Sequence, residues 1–207
     1  PPHMKKSLRE LKSISVRDLN SFAIIKRNLG IEPAIVPDPT IVYDVLSHAS
    51  PCKHRDYILV YATDLSKDII GHVKKYANRT RKNIISIGYK NNWADQNITN
   101  LMPFELLGYY QNADFVVTNL FHGTIFSILA EKQFMLQLSP YRINKFSPML
   151  ELLGLKNRVY TPSNEADIFN HAIDYVIVRD QLKKYRLVGL EYIGKHLTNY
   201  KRSQESP

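Results

Sequence analysis

Short apolar runs alternate with amphipathic helical patterns along most of the chain. The runs are rich in β-branched and aromatic residues, a composition typical of strands that are buried on both faces; they lie at 57–61, 83–87, 115–117 and 134–138, with shorter runs at 14–16 and 34–36. Helical spacing of apolar residues follows most of them. This alternation predicts an α/β fold with a Rossmann-like, open parallel sheet and helices on both faces.

The C-terminal part of the chain shows a different pattern. From residue 164 to about residue 199 apolar residues recur at helical spacing and no proline interrupts them. We therefore predict one Rossmann-like domain over residues 1–163 and a long helical segment over 164–207 that packs on the same domain. Residues 88–100 are predicted to be a polar loop.

Local signals predict where several helices begin and end. Asn20 or Ser21 can cap the helix that follows the first short strand, and Gly30 is placed to end it. Ser66 can cap a later helix, and Pro103 can open another. These residues predict approximately where the helices begin and end.

Composition narrows the class of protein. Of 207 residues, 44% are hydrophobic and 23% charged, and no apolar run approaches the ~20 residues that span a bilayer. Cys52 is the single cysteine, which excludes an internal disulfide and a cysteine-rich zinc site. Without an N-terminal signal peptide, a cytoplasmic location is expected.

The net charge of +9 is compatible with nucleic acid, an anionic membrane surface or a small anionic substrate. The basic residues are scattered, and zinc-finger and RNA-recognition signatures are absent, so nucleic acid is not the expected partner. Dinucleotide and P-loop motifs are also absent. Two interpretations of the positive charge remain. The protein acts on a phosphorylated substrate, or it associates with a membrane through its basic surface.

The most informative stretch is residues 113–131, ADFVVTNLFHGTIFSILAE. It predicts a strand, a tight connection and a buried helix. In a parallel sheet this places His122, Gly123 and Thr124 at the carboxyl edge of the strands, where such folds bind ligands. The start of the helix offers backbone N–H groups to an anion.

Polar residues follow other predicted strands as well. Arg17 and Asp18, then Asp38, then the segment 119–124 lie at strand ends, which converge if they share one edge of a sheet. Arg142 and Lys145 follow the last strand and could reach the same edge. Together they would grip a phosphate or carboxylate, and His122 could transfer a proton.

Each of these residues also has a structural interpretation. Arg17 and Asp18 could form a simple ion pair, and Asp38, held between two prolines, could cap a helix or stiffen a turn. A single histidine in an apolar context is often structural. No cluster has the spacing of metal ligands, so we expect no metal ion or other cofactor.

Several segments, in order, resemble the polysaccharide pyruvyl transferase family, whose enzymes move the pyruvyl or enolpyruvyl group of phosphoenolpyruvate onto sugar hydroxyls. The combination of the SVRD, PDPT and FHGT blocks is specific, and the resemblance covers roughly residues 8–195. The segments are ISVRDLNS at 14–21, VPDPTIVY at 36–43, YILVYATD at 57–64, NADFVVTNLFHGTIFSILAEKQF at 112–134 and RINKFSPMLELLGLKNR at 142–158.

The resemblance implies a glycosyltransferase-B type architecture of two Rossmann-like halves, of which this chain resembles the C-terminal half. A preceding N-terminal domain, needed for activity, would then be missing. It also implies phosphoenolpyruvate as donor and, as acceptor, a saccharide of exopolysaccharide or cell-wall glycan, which can be lipid-linked at the membrane.

The same resemblance assigns roles to individual residues. Arg17 and His122 would be the catalytic residues that hold phosphoenolpyruvate. The substrate-binding residues would be Asp18, Asp38, Asn119, Phe121, Gly123, Thr124 and Arg142. The family commonly has Asp-Ser or Arg-Leu before the histidine, where this chain has Asn119-Leu120-Phe121.

Two other functions remain open at this point. One is a glycosyltransferase that uses a nucleotide sugar on the same architecture, although the sequence does not locate base or ribose contacts. The other is a non-catalytic half-domain that binds an anionic glycan or a partner protein.

Overall fold

The structure, a computed structural model, describes residues 2–204, with side chains from residue 3 to residue 197. The strands are β1 (Ser15–Val16), β2 (Ala34–Ile35), β3 (Tyr57–Tyr61), β4 (Asn83–Ile87), β5 (Gln96–Ile98), β6 (Phe115–Thr118) and β7 (Gln133–Leu136). The α-helices are α1 (Pro2–Arg9), α2 (Leu19–Leu29), α3 (Pro39–Val42), α4 (Lys67–Thr80), α5 (Pro103–Asn112), α6 (Phe121–Leu129), α7 (Ile143–Leu152), α8 (Glu165–Asn170) and α9 (Tyr175–Gln204).

Contacts within the chain divide it into two compact units. The first, which we call the helical unit, comprises Pro1–Tyr43, Tyr141–Leu153 and Val176–Pro207. The second, the sheet unit, comprises Asp44–Pro140 and Gly154–Tyr175. The predicted domain boundary at residue 163 stays a prediction.

The sheet unit is built on a five-stranded parallel sheet in the order β5-β4-β3-β6-β7. Alternate side chains of β3 point to opposite faces. Ile58 and Val60 belong to a buried cluster with Ile69 and Val73 of α4. On the other face, the Tyr57 hydroxyl donates a hydrogen bond of 2.6 Å to a carbonyl oxygen of α5. Helices therefore cover both faces, as predicted.

The strand order creates one topological switch point in this sheet. The chain runs from β3 outward through β4 and β5, and then returns to the other side of β3 with β6. Crevices outside the carboxyl ends of strands at such a point are the usual ligand sites of open α/β sheets. The segments that follow β3 and β6 form this edge.

The helical unit contains a separate parallel pair of strands, in which Ser15 lies beside Ala34 and Val16 beside Ile35. The helix between them, α2, ends at Gly30 in the left-handed conformation (φ 69°), as predicted. The predicted caps at its start are wrong. Asp18 takes that position, because its carboxylate accepts the Ser21 backbone N–H at 2.7 Å.

Helix α9 packs against α3 and the segment before it within the helical unit. A Cβ at Gly189 would lie 2.6 Å from Val42 and 2.9 Å from Pro37, so only glycine allows this approach. The Arg186 side chain donates to the Ile41 carbonyl at 2.7 Å. Among residues 2–204, no helix combines the length and the apolar character needed to cross a membrane.

The predicted fold class is confirmed: a parallel α/β sheet, helices on both faces and a long C-terminal helix. The prediction that all strands share one sheet is wrong, because β1 and β2 pair only with each other. The predicted polar loop at 88–100 contains β5, which was missed because its three residues carry no apolar run.

The predicted uninterrupted helix from residue 164 is also wrong. It is broken between α8 and α9. The Arg158 guanidinium donates to the Ile168 carbonyl at 3.1 Å and to the His171 carbonyl at 2.8 Å, and Gln133 accepts the Ile173 N–H at 2.7 Å. These bonds satisfy backbone groups at the break, and their partners are distant in sequence.

Candidate functional site

The helical unit holds a charged group of residues at the end of β1. Arg17 donates from Nη1 to Oδ2 of Asp38, and the Asp38 side chain is almost fully buried. The other carboxylate oxygen of Asp38 accepts the Thr40 backbone N–H at 3.0 Å and the Thr40 hydroxyl at 2.6 Å. Asp38 is therefore both the cap of α3 and the residue that orients Arg17.

Asp18, the residue that follows Arg17, is also held by hydrogen bonds to its carboxylate. It is 7% exposed, and its Oδ2 accepts the Ser21 hydroxyl at 3.1 Å while its Oδ1 caps α2. Asp38 thus has the capping role that the sequence left open, whereas Asp18 caps α2, a role that the sequence did not predict. Their contact with a substrate stays a prediction.

Arg142 and Lys145 complete this group, which we call the cation cluster: Arg17, Asp18, Asp38, Arg142 and Lys145. Burial lowers the pKa of the Lys145 ammonium from its ordinary value, and the charges of Arg17 and Arg142 lower it further, against the opposing effect of Asp18 and Asp38. The charges of all four other residues act on the pKa of Lys145, so its ammonium group belongs to the same cluster. Three cationic groups and two carboxylates leave an excess of positive charge that favours an anion.

A cavity of about 750 Å³ lies beside this cluster within the helical unit. Arg17, Asp18 and Ser21 supply polar lining, and the rest comes mainly from apolar residues of the β1 and β2 segments, α3 and α9. Burial, and after it the charge of Asp38, raise the pKa of the Tyr185 hydroxyl on α9 above its ordinary value.

In the sheet unit, the connection from β6 to α6 is packed very closely. The Thr118 hydroxyl donates to the Tyr61 carbonyl at 2.7 Å and accepts the Leu120 N–H at 3.1 Å. A Cβ at Gly123 would lie 2.1 Å from that same hydroxyl oxygen. Gly123 is therefore needed for the close approach of helix to strand, and this approach fixes the position of His122.

Asn119 joins the ends of β6 and β3. It is 7% exposed, and its side-chain oxygen accepts the Thr63 N–H at 3.1 Å while its amide group donates to the Thr63 carbonyl. Both ends of the amide are thus engaged with the backbone after β3. Asn119 positions this edge, and a direct contact with substrate stays a prediction.

Three of the four residues in the segment Phe121-His122-Gly123-Thr124 are buried. The Thr124 hydroxyl donates to the Leu120 carbonyl at 3.2 Å. His122 is only partly buried; its ring lies 5.8 Å from that of Phe121 and stacks on Phe126 at 5.9 Å. The aromatic rings fix the orientation of an imidazole that solvent still reaches.

The structure therefore groups the predicted site residues in two sets. Arg17, Asp18, Asp38 and Arg142 belong to the helical unit, whereas the set from Asn119 to Thr124 belongs to the sheet unit. The expectation that all of them meet at one sheet edge is wrong, because they follow strands of two different sheets.

Two residues that organise these regions received little or no weight as site candidates. Lys145 was noted only for its place after the last strand, and Gln137 was missed; the Gln137 side chain accepts the Ser66 N–H at 2.9 Å and donates to the Asp64 carbonyl at 3.4 Å. The strand-end rule could have identified Gln137, since it follows β7 directly. In the described part of the chain, no group of three or more His, Cys, Asp or Glu residues is placed to hold a metal ion.

Comparison with protein families gives a match. The family model described as polysaccharide pyruvyl transferase matches residues 2–136, about two thirds of the chain. The matched part contains the SVRD, PDPT and FHGT blocks. It is the N-terminal part of this chain and not a C-terminal half. It ends before Arg142, short of the expected extent to residue 195. No curated protein matches the chain by sequence.

Solved structures that are similar to this chain include those of the wall teichoic acid polymerase TagF. One has a TM-score of 0.43 at 10% sequence identity and covers 99% of this chain and 62% of its own length. A TagF variant gives a TM-score of 0.44, 10% identity and coverage of 98% and 61%. The chain thus spans about three fifths of the TagF chains that it matches.

Proposed function

The chain belongs to the polysaccharide pyruvyl transferase family, and we propose that it transfers the pyruvyl group of phosphoenolpyruvate to hydroxyls of a sugar in exopolysaccharide or cell-wall glycan synthesis. The family match over residues 2–136 carries this proposal. The cation cluster and His122 support it, since they supply the two kinds of group that the reaction needs.

The first requirement is to bind an anion that departs as phosphate. Arg17 is suited to this because Asp38 orients its guanidinium, which can contact phosphate oxygens through two parallel N–H groups. Arg142 and Lys145 add positive charge nearby. A bound phosphate or carboxylate would offset the repulsion from Arg17 and Arg142, which adds to the effect of burial in lowering the pKa of Lys145.

The second requirement is an acid. His122 lies in the first turn of α6, at the carboxyl edge of the five-stranded sheet, and its partly exposed ring is held by aromatic neighbours. An imidazolium can donate a proton near neutral pH. We assign His122 as the group that protonates the donor.

The chemistry then proceeds without a cofactor. Protonation of the methylene carbon, C3 of phosphoenolpyruvate, makes C2 electrophilic, and a sugar hydroxyl forms a bond to C2. The bond from C2 to the phosphate oxygen breaks, and a second hydroxyl of the same sugar closes a cyclic ketal. Of the two hydroxyl protons, one restores the acid and the other leaves with phosphate.

A phosphate-release assay tests the proposal. The full-length protein is supplied with phosphoenolpyruvate and a panel of methyl pyranosides and oligosaccharides that carry free diols. We expect phosphate release that requires both the donor and a sugar. His122→Gln should abolish most of it, because the glutamine amide cannot act as an acid.

Parallel reactions contain UDP- and CDP-linked sugars in place of phosphoenolpyruvate. Turnover of a nucleotide sugar, with no phosphate released from phosphoenolpyruvate by any acceptor, would contradict the proposal and support the glycosyltransferase alternative. Phosphate release that survives in His122→Gln would remove His122 from the mechanism.

A further inference from the structure

A second cavity lies wholly within the sheet unit, at the carboxyl ends of β3 and β4. It has a volume of about 440 Å³, within the usual range of small-molecule sites. The segment after β3 supplies one wall, and the loop from Tyr89 to Trp93 supplies the other. The proposed roles of Arg17 and His122 do not account for it.

The lining of this cavity combines aromatic rings with hydrogen-bonding groups. Tyr89 is 39% exposed and lies 5.7 Å, ring to ring, from Tyr61. Lys90, Asn92 and Asp64 are exposed polar residues of the same lining. An aromatic face beside a cation, an amide and a carboxylate suits a polyhydroxylated ring, which has apolar C–H faces and a rim of hydroxyls.

Hydrogen bonds from buried side chains hold the walls in place. Asn91 is 8% exposed, and its amide donates to the Ala62 carbonyl at 3.1 Å and to the Ser86 hydroxyl at 2.9 Å. The indole N–H of Trp93 donates to the Asn91 side-chain oxygen at 3.2 Å. These bonds tie the Tyr89–Trp93 loop to β3 and β4, so little conformational entropy is lost on binding.

The opposite wall is fixed to the strand that precedes His122. Thr63 lines the cavity, and both of its backbone polar groups bond to Asn119, which immediately follows β6. Gln137 holds the next residues through Asp64 and Ser66. Asp64 has a left-handed backbone (φ 43°), a strained conformation that these bonds maintain.

We propose that this cavity, which we call the Tyr89–Trp93 pocket, binds one pyranose unit of the acceptor saccharide. Tyr89 would pack against a face of the sugar ring, while Asn92, Lys90 and Asp64 would hydrogen-bond its hydroxyls. The assignment rests on the proposed function, because it names the acceptor subsite of that reaction. The Asp64 carboxylate argues against a nucleotide, because it would repel a diphosphate. Among the lining residues, only Lys90 could balance the negative charge of that diphosphate.

Trp93 makes the proposal directly testable, because it is the only tryptophan in the chain. Its fluorescence is titrated with methyl β-galactopyranoside, methyl β-glucopyranoside and methyl N-acetyl-β-mannosaminide, and separately with UMP and CMP. We expect a saturable change in Trp93 emission with at least one pyranoside. In Asn92→Ala, the affinity for that pyranoside should fall about 5-fold, the effect of one lost hydrogen bond.

Asn78→Ala is the matched control, since Asn78 is an exposed asparagine of α4 outside the pocket and should bind the sugar like the wild type. The proposal is overturned if no pyranoside changes the emission, if only UMP or CMP does, or if Asn92→Ala binds like Asn78→Ala. Because the titration needs no donor, a failure of pyruvyl transfer appears separately, as absent phosphate release from phosphoenolpyruvate.

Discussion

The cation cluster of the helical unit and the β6–α6 connection of the sheet unit differ in what they contribute to the candidate site. In the cluster, the three cationic side chains are partly exposed and both carboxylates are buried; burial, together with repulsion from Arg17 and Arg142, lowers the pKa of Lys145. In the connection, Gly123 and Thr124 are buried and uncharged, and their packing leaves little room for movement. One region supplies charge, and the other supplies position.

This difference suggests what each region can tolerate. A charged cluster works through the sum of several groups, so the loss of one weakens binding by degrees. A packed connection works through one geometry, so a single added methyl group disturbs it. Single substitutions can therefore change the charge of one region or the packing of the other, and leave the other property unchanged.

The largest expected effect comes from His122. His122→Gln should lower kcat about 10²–10⁴-fold, the usual contribution of a general acid, with little change in the KM for phosphoenolpyruvate. Steady-state kinetics with saturating sugar measures both constants. An equal rise in KM would instead show that the imidazole mainly binds the donor.

A substitution of Arg17 should mainly change the KM for phosphoenolpyruvate and not kcat. Arg17→Gln should raise the KM for phosphoenolpyruvate about 10- to 100-fold, because a charge-assisted contact to the donor is lost. Arg17→Lys restores charge without the planar pair of N–H groups, so it should recover only part of the affinity. Full recovery in Arg17→Lys would mean that charge alone matters at this position.

Packing at the β6–α6 connection is tested by Gly123→Ala. The added Cβ would approach the Thr118 hydroxyl to 2.1 Å, and overpacking of this kind costs about 1–3 kcal/mol of unfolding free energy. Denaturant unfolding measures it. Gly194→Ala is the matched control, because no heavy atom lies within 4 Å of a Cβ at that position. Equal stability of the two variants would contradict the packing account.

Substitution of Lys145 should have the smallest effect. It should increase the stability of the fold but weaken the binding of phosphoenolpyruvate. The folded-state pKa of Lys145 lies below its ordinary value, so the protonated form opposes folding, and stability rises as pH increases from that lowered pKa toward the ordinary one. Lys145→Met should therefore slightly raise the melting temperature at neutral pH and weaken phosphoenolpyruvate binding several-fold.

Thermal unfolding with and without phosphate checks this prediction. Added phosphate should stabilise the wild type more than Lys145→Met, because the anion offsets the repulsion within the cluster. A lower melting temperature for Lys145→Met at neutral pH, or an equal response of both proteins to phosphate, would contradict it.

The sequence was sufficient for the elements whose signals are local. Continuous apolar runs identified β3, β4 and β6, and Gly30, Ser66 and Pro103 marked helix ends where the structure has them. It was insufficient where distant residues decide. Which strands pair, where the C-terminal helix breaks and which side chains hold Thr63 all depend on partners far along the chain.

The candidate site divides in the same way. The strand-end rule selected His122 and Arg17 as candidates without structural information, but it could not show that they follow strands of two different sheets. It also passed over Tyr89 to Trp93, because the segment was interpreted as a polar loop. The same rule applied to the residues after β4 would have marked that segment.

The central claim, protonation of phosphoenolpyruvate at C3 during transfer to a sugar, is tested most directly by running the reaction in D₂O. The product is examined by proton NMR and mass spectrometry. The account predicts a pyruvate ketal whose methyl group carries one deuterium, with one phosphate released per ketal. An enolpyruvyl ether that retains its methylene group, or a sugar left without any three-carbon group, would contradict it.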